Sequence, residues 1–172
     1  VREKQISKES SVYHYRLLQR IRYKQAFIIA FWCLPGIAYV WDLIRWHPLP
    51  MLLSVVLIPL LHTLIIYLYF TFKEKRPLHQ WGIQYRFPWI GFVPLGYFAL
   101  YRMLNLNLHL LWVTAVICGC FFPWVSFDMI LHAMFIHLWI LLPRFILIFL
   151  MRHCMEDGYL KINEQDTSCY AQ

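Results

Sequence analysis

Five side chains in this 172-residue sequence could do chemistry in a place where chemistry is difficult. His132, His137 and Arg144 fall in Met129–Met151, a stretch otherwise apolar and long enough to cross a bilayer. His62 sits near the middle of a second such stretch, and Asp128 lies just before the first. An Arg at mid-membrane costs roughly 2.5–3.5 kcal/mol on insertion scales, so residues of this kind face protein, water or a ligand. Asp128 and His132 are four apart and share one helical face. His137 and Arg144 are seven apart and share another, about 140° away.

Imidazoles at such positions relay protons, ligate metals or bond to main-chain carbonyls. Metal or haem ligation needs two or more imidazoles or thiolates at one depth. His62 and His137 are both near mid-span and can face each other, whereas His132 lies nearer an interface. Without an HExxH or CxxC motif, no cofactor is favoured, and haem or a metal is a minor alternative. Pro59 frees the carbonyl of Val55 close to His62, and Pro143 frees that of Trp139 close to Arg144. The carboxylates within the chain that could pair with Arg144, namely Asp42, Glu74 and Asp128, all sit near span ends. An outside partner, either another subunit or an anionic lipid head, is therefore expected for Arg144, with His137, Asp128 and His132 as neighbouring contacts. Covalent catalysis finds no nucleophile elbow, Gly-rich loop or Cys/His arrangement. Ser54, Thr63 and Thr114 read as hydroxyls bonded to their own backbone.

The composition defines the elements that must position these residues. The chain is 60% hydrophobic and 19% aromatic, with 15% charged residues. A soluble domain has about 25% charged residues, so lipid is the natural solvent here. Five apolar segments are expected, at about 26–45, 51–72, 88–104, 108–127 and 129–151. They make a membrane domain, 26–151, between a basic segment, 1–25, and an acidic tail, 152–172. No short apolar region with a small-residue cleavage site appears, so Ala26–Trp41 reads as a retained span. Ser10 or Ser11 could cap a short helix carrying Val12, Leu17, Leu18 and Ile21. Asp42 and Arg45 are spaced to pair on one helical face. Ala115 and Gly119 form a small face that admits a second helix. Asp157-Gly158 reads as a turn, and Tyr159–Ile162 as a short strand.

The segment Pro88–Tyr101, interrupted by Gly91, Pro94 and Gly96, decides the topology. Fourteen helical residues reach only about 21 Å, short of the ~30 Å core, so it crosses with a tilt or re-enters as a half-helix. The net charge is +7, and seven of the sixteen Lys/Arg precede residue 25. Setting Arg144 aside, five crossings put eleven cations inside and four outside; four crossings put fourteen inside and one outside. The second obeys the positive-inside rule better and leaves the tail inside. The expected fold is an all-α membrane bundle of four to five transmembrane helices, with the N-terminus on the cytoplasmic or matrix side. The host is a bacterial plasma membrane or an organelle inner membrane. Arg16, Arg20, Arg22, Lys24, Lys73, Lys75 and Arg76 are candidate contacts with the membrane surface. A nucleic-acid partner is not expected, because the cations flank spans and form no basic face.

Cys33, Cys118 and Cys120 lie in apolar stretches, and Cys154 and Cys169 could pair only in an oxidising compartment. The terminal Cys169-Tyr170-Ala171-Gln172 matches a prenylation box in form, with Tyr a poor aliphatic position. The functional expectation is a non-enzymatic accessory or structural subunit of a larger membrane complex, in contact with lipid and other subunits. The alternatives are a small membrane enzyme or carrier handling a lipid or redox cofactor through His62, His132, His137 and Arg144, and an ion or proton path through the same residues.

Overall fold

A computed structural model describes residues 16–74, 81–85 and 87–171. In chain order the elements are β1 (Arg16–Arg22), α1 (Gln25–Ile44), α2 (Leu49–Tyr69), β2 (Trp81–Gln84), β3 (Gly91–Pro94), β4 (Phe98–Ala99), α3 (Leu100–Cys120), α4 (Phe127–Leu150), β5 (Gly158–Ile162) and β6 (Asp166–Ala171). A wide π-type turn, Phe70–Glu74, closes α2. Serines 10 and 11, Lys75 and Arg76 lie outside the described residues.

Four helices are long and apolar enough to cross a membrane by length and composition. The shortest has 20 residues, which at 1.5 Å each spans the ~30 Å hydrocarbon core. Each of α1, α2 and α4 carries an internal proline, at Pro35, Pro59 and Pro143. Hydroxyls stay close to home: Thr63 Oγ1 donates to the Pro59 carbonyl at 2.8 Å and Ser54 Oγ to the Pro50 carbonyl at 2.7 Å. Thr114 departs from this expectation. Its Oγ1 is buried with no hydrogen-bond partner among the described residues.

The all-α expectation is corrected. Strand accounts for 19% of the described residues, in two sheets, beside 63% helix. The four-stranded sheet has the order β1-β6-β5-β4, antiparallel throughout, and β2 pairs with β3 in a separate antiparallel pair. The basic stretch expected as a short helix is an edge strand among the described residues, and its partner is the tail. Ile21 stands opposite Thr167 and Arg20 opposite Ser168. No local periodicity could announce a pairing between the two ends of the chain. The expected strand in the tail is β5, and Gly158 opens it. A Cβ at Gly158 would stand 2.1 Å from the Cys154 carbonyl oxygen and 2.6 Å from Cys169 Sγ, so only glycine fits.

The third apolar segment, expected at 88–104, forms neither a membrane-length helix of its own nor a half-helix. It supplies β3 and β4, and α3 begins at Leu100, absorbing the end of that segment and the start of the next. Gly91 adopts φ +104°, which a side-chain-bearing residue rarely holds, and the helix cannot begin before it. Trp89, Ile90 and Val93 are buried under protein, which looks like burial under lipid to any hydropathy measure.

Both sheet-forming ends and the α2–α3 connection meet at one end of the bundle, since β1 leads into α1, β4 into α3 and β6 follows α4. Among the described residues Arg45 alone marks the far end, and Arg144 is internal. One core lies under the sheet, around Trp89, Val93, Leu100, Leu147, Leu160 and Cys169. A smaller one, with Met51, Ile58, Cys118, Ile136 and Ile140, holds the far half.

Arg20 and Asp166 join β1 to β6 by an ion pair. Burial alone would raise the Asp166 carboxyl, but hydrogen bonds from Arg20, Asn163 and Ser168, with the Arg20 charge, outweigh it and hold the group below its ordinary 3.8. A carboxyl depressed in the folded state adds stability that is complete above its unfolded value and lost as pH falls through the folded value. Asp166→Asn is therefore expected to weaken protection of the β1 amides against hydrogen exchange at neutral pH. The gap from the unsubstituted chain should close as pH drops below 3.8. A gap that persists unchanged into acid would show that the carboxylate charge does not hold the strand.

Candidate functional site

Three helices turn polar residues inward. On α2 these are Ser54 and His62, on α3 Asn107 and Thr114, and on α4 His137 and Arg144, all buried. The spacings 54–58–62, 107–111–114 and 137–140–144 each keep one face of a helix turned to the centre. The polar groups therefore form a column inside an apolar bundle.

The column is tied together in three steps. His62 Nε2 and His137 Nδ1 are 2.9 Å apart, so one imidazole donates to the other. His137 Nε2 stands 3.2 Å from the carbonyl oxygen of Leu111 and, as the N–H tautomer there, donates to it. Nδ1 of His137 is then the acceptor, and His62 donates to it. The facing of His62 and His137 expected from their depth is found. Two turns along α4, Arg144 is 1% exposed. Its Nη2 donates to the carbonyl oxygen of Ile90, and Nη1 lies 3.5 Å from Asn107 Oδ1. Asn107 Nδ2 in turn donates to the Met103 carbonyl at 2.7 Å, which turns its oxygen toward the guanidinium. The Trp89 ring covers the cation, with Cζ 5.9 Å from the ring centroid. Nε has no hydrogen-bond partner among the described residues.

The acceptor for Arg144 is thus a main-chain carbonyl of the segment before β3, within the same chain. Among the described residues neither a carboxylate nor the Trp139 carbonyl takes that place, and Arg144 is buried within the chain. Gly91 makes the approach possible, since a Cβ there would already touch Nη2 at 3.4 Å. From Trp89 the network runs on into the sheet. Trp89 Nε1 donates to Thr167 Oγ1 at 2.9 Å, and Thr167 shares a hydrogen bond with the Tyr23 hydroxyl. Burial pushes the Tyr23 phenol up to about 12, against opposing hydrogen bonds to Thr167 and Trp89, so it remains protonated at neutral pH. Sequence reading missed Asn107, Trp89, Thr167 and Tyr23. Only Asn107, an amide in an apolar helix, carried a signal that could have found it.

The remaining sequence candidates lie elsewhere. His132 Nδ1 contacts the Asp128 carbonyl oxygen at 2.6 Å, and its Nε2 stands 2.8 Å from Asp42 Oδ2 on α1, off line for a hydrogen bond. Asp42 therefore faces α4 and not Arg45, whose guanidinium lies 4.9 Å from the Trp41 ring centroid. The Asp128 side chain is exposed. Arg16, Arg20, Arg22 and Lys24 sit at the sheet end, and Lys73 lies in the turn closing α2. Arg102 bridges to Glu74 at 3.4 Å. Cys118 is buried and Cys120 exposed, so they do not converge. Cys154 and Cys169 are both free, and burial followed by the neighbouring Cys154 thiol pushes Cys169 up to about 12. Among the described residues no three His, Cys, Asp or Glu side chains assemble to hold a metal ion.

The fold and the column define a class: four apolar helices with a sheet at one end and a buried cation that donates to a main-chain carbonyl of the same chain. Comparisons with protein-family models, with curated proteins and with solved structures returned no match.

Thr167 is the joint between column and sheet. Thr167→Val leaves Trp89 Nε1 and the Tyr23 hydroxyl without their partner, and each buried group so orphaned costs about 1–3 kcal/mol. Denaturation followed by tryptophan fluorescence should show the loss, and Thr167→Ser, which retains the hydroxyl, should recover most of it. Equal stability of the Val and Ser variants would show that the hydroxyl contributes nothing.

Proposed function

We propose that this chain is a non-enzymatic accessory or structural subunit of a larger membrane assembly, docking through the outer face of α3. The observation that supports this reading is the small face at Ala115 and Gly119. A Cβ added at Gly119 would meet nothing within 4 Å, so no helix among the described residues uses the close approach that glycine permits. Val116 and Trp112, one turn and two turns before Gly119, are exposed. Helices in lipid gain no hydrophobic driving force from associating, and small residues matter because they let backbones pack closely. Clefts of about 810, 460, 400, 390 and 320 Å³ among the described residues are all lined by side chains other than His62, His137 and Arg144, which favours a structural role for the column.

The rival reading, a lipid- or redox-handling enzyme or carrier, draws on the 2.9 Å pairing of His62 and His137. In that pairing one histidine is already occupied by the other and by Leu111.

Gly119→Leu separates folding from assembly, because the added side chain enters open space within the chain. In native mass spectrometry after gentle extraction from its own membrane at natural abundance, the unsubstituted chain should carry a stoichiometric partner. Gly119→Leu should lose that partner while keeping its helical content. A solitary, monodisperse unsubstituted chain would overturn the proposal, as would a partner retained in full by Gly119→Leu.

A further inference from the structure

α1 is the helix least embraced by the rest of the molecule. Only Phe31 and Asp42 are buried on it, whereas eight residues are buried on α4. It meets α4 at two separate places. Phe31 stacks on Trp139 with centroids 4.2 Å apart, and Trp139 Nε1 donates to the Phe31 carbonyl at 2.8 Å. Near the far end, Asp42 meets His132. On the sheet side of the Phe31–Trp139 contact the two helices stand apart, and a groove of about 390 Å³ opens between them. Its walls are Phe27, Ala30 and Leu34 from α1 and Leu142, Ile146 and Leu150 from α4. These positions recur every three or four residues, so the groove follows the helices for about 10 Å. A volume of this size suits a small-molecule ligand and not a helix.

One end of the groove is cationic. Arg22 and Lys24, at the β1–α1 junction, line it there. Neither makes an ion pair among the described residues, whereas the neighbouring Arg20 is committed to Asp166. Arg22, Tyr23 and Phe87 also line a wider cleft of about 810 Å³, with Arg20, Gln25, Glu164 and Gln165 around it. A mainly apolar slot thus runs into a polar cleft, with two cations at the boundary. A free anion could use the cations but not the slot; a neutral hydrocarbon could use the slot but not the cations. An anionic amphiphile uses both.

We propose that the groove between α1 and α4 seats one acyl chain of an anionic phospholipid, with its phosphate held by Arg22 and Lys24. The seat lies at the sheet end, where the positive-inside rule puts the cytoplasmic or matrix leaflet. It does not depend on the α3 contact, which lies on another helix. Each cation near an anionic headgroup is worth roughly a five-fold change in binding.

The test is native mass spectrometry of the full chain titrated with phosphatidylglycerol or phosphatidylcholine of identical acyl chains. The unsubstituted chain should retain phosphatidylglycerol preferentially, and inorganic phosphate should not displace it. The double variant Arg22→Gln/Lys24→Gln should retain it roughly 25-fold less well, with phosphatidylcholine unchanged. Arg45→Gln, at the far end of the bundle, should have no effect. Ala30→Trp, which fills the slot, should lower retention of both lipids, with circular dichroism confirming that the helices persist. Equal retention of the two lipids by the unsubstituted chain would overturn the proposal. So would an Arg45→Gln loss matching that of the double variant, displacement by inorganic phosphate, or an Ala30→Trp chain that retains phosphatidylglycerol undiminished.

Discussion

A guanidinium inside an apolar bundle has to find its acceptors among whatever the fold brings within reach, and for Arg144 the fold brings a main-chain carbonyl. That requirement shapes a large part of the molecule. The Ile90 carbonyl can point at α4 only if the chain turns away immediately afterwards, and Gly91, at φ +104°, supplies the turn. The preceding residue then falls over the cation, and Trp89 covers it. With its ring fixed there, the indole N–H reaches β6 at Thr167, and Thr167 reaches Tyr23 just after β1. A buried charge in α4 is thereby linked to both ends of the chain. Burial of a charge is tolerated only where hydrogen bonds replace its lost water. The irregular segment between β2 and α3 provides that replacement. Irregular backbone at such depth is itself acceptable only under a protein cover, and β1, β5 and β6 belong to that cover.

The far half of the bundle is held by a different kind of contact. There the polar links are pairwise and between helices: His62 to His137, and His132 to Asp42. Neither link reaches a sheet, and α1 gains little beyond the Phe31–Trp139 stack. Where lipid solvates the helices, apolar surface alone gives no reason for α1 to pack tightly. The same helix is anchored more firmly at its sheet end, because β1 is paired with β6 and Gln19 Nε2 donates to the Leu150 carbonyl at 3.2 Å. The chain is thus tightest under the sheet and loosest along α1. The groove lies where these two regimes meet.

How far the sequence could be read follows from the same physics. The helices were legible because twenty apolar residues in a row leave few alternatives, and the His62–His137 contact because these are the imidazoles placed at matching depth. The strands were not. Apolar residues at 89, 90 and 93 are buried by protein, and hydropathy does not tell one cover from the other. β1 is basic and short, and Asp166, the ion-pair partner of its Arg20 in the strand beside it, lies 146 residues along the chain. Arg144 shows the limit most sharply. Its scarcity of carboxylates was real, but counting carboxylates takes no account of main-chain acceptors such as the Ile90 carbonyl, which have no letter in a sequence. Every residue except the one being satisfied offers a carbonyl, and only the path of the backbone decides which one arrives.

That correction changes where contact with other molecules should be sought. A cation lacking an internal acceptor would have made α4 the docking element. With Arg144 bonded to the Ile90 carbonyl and both span-centre histidines engaged, most of the interior polar groups have partners within the chain. The surfaces that keep a specific and unused capacity are then on other helices: glycine's close approach near the end of α3, and the cation-ended slot beginning at the start of α1. Because α1 and α3 both start from the sheet end, these capacities lie at opposite ends of the bundle, Gly119 far from the sheet and Arg22 beside it. A helix packed at Gly119 need not displace a lipid held at Arg22. The two proposed contacts are therefore compatible with each other, one with a protein neighbour at α3 and the other with an anionic lipid at the start of α1.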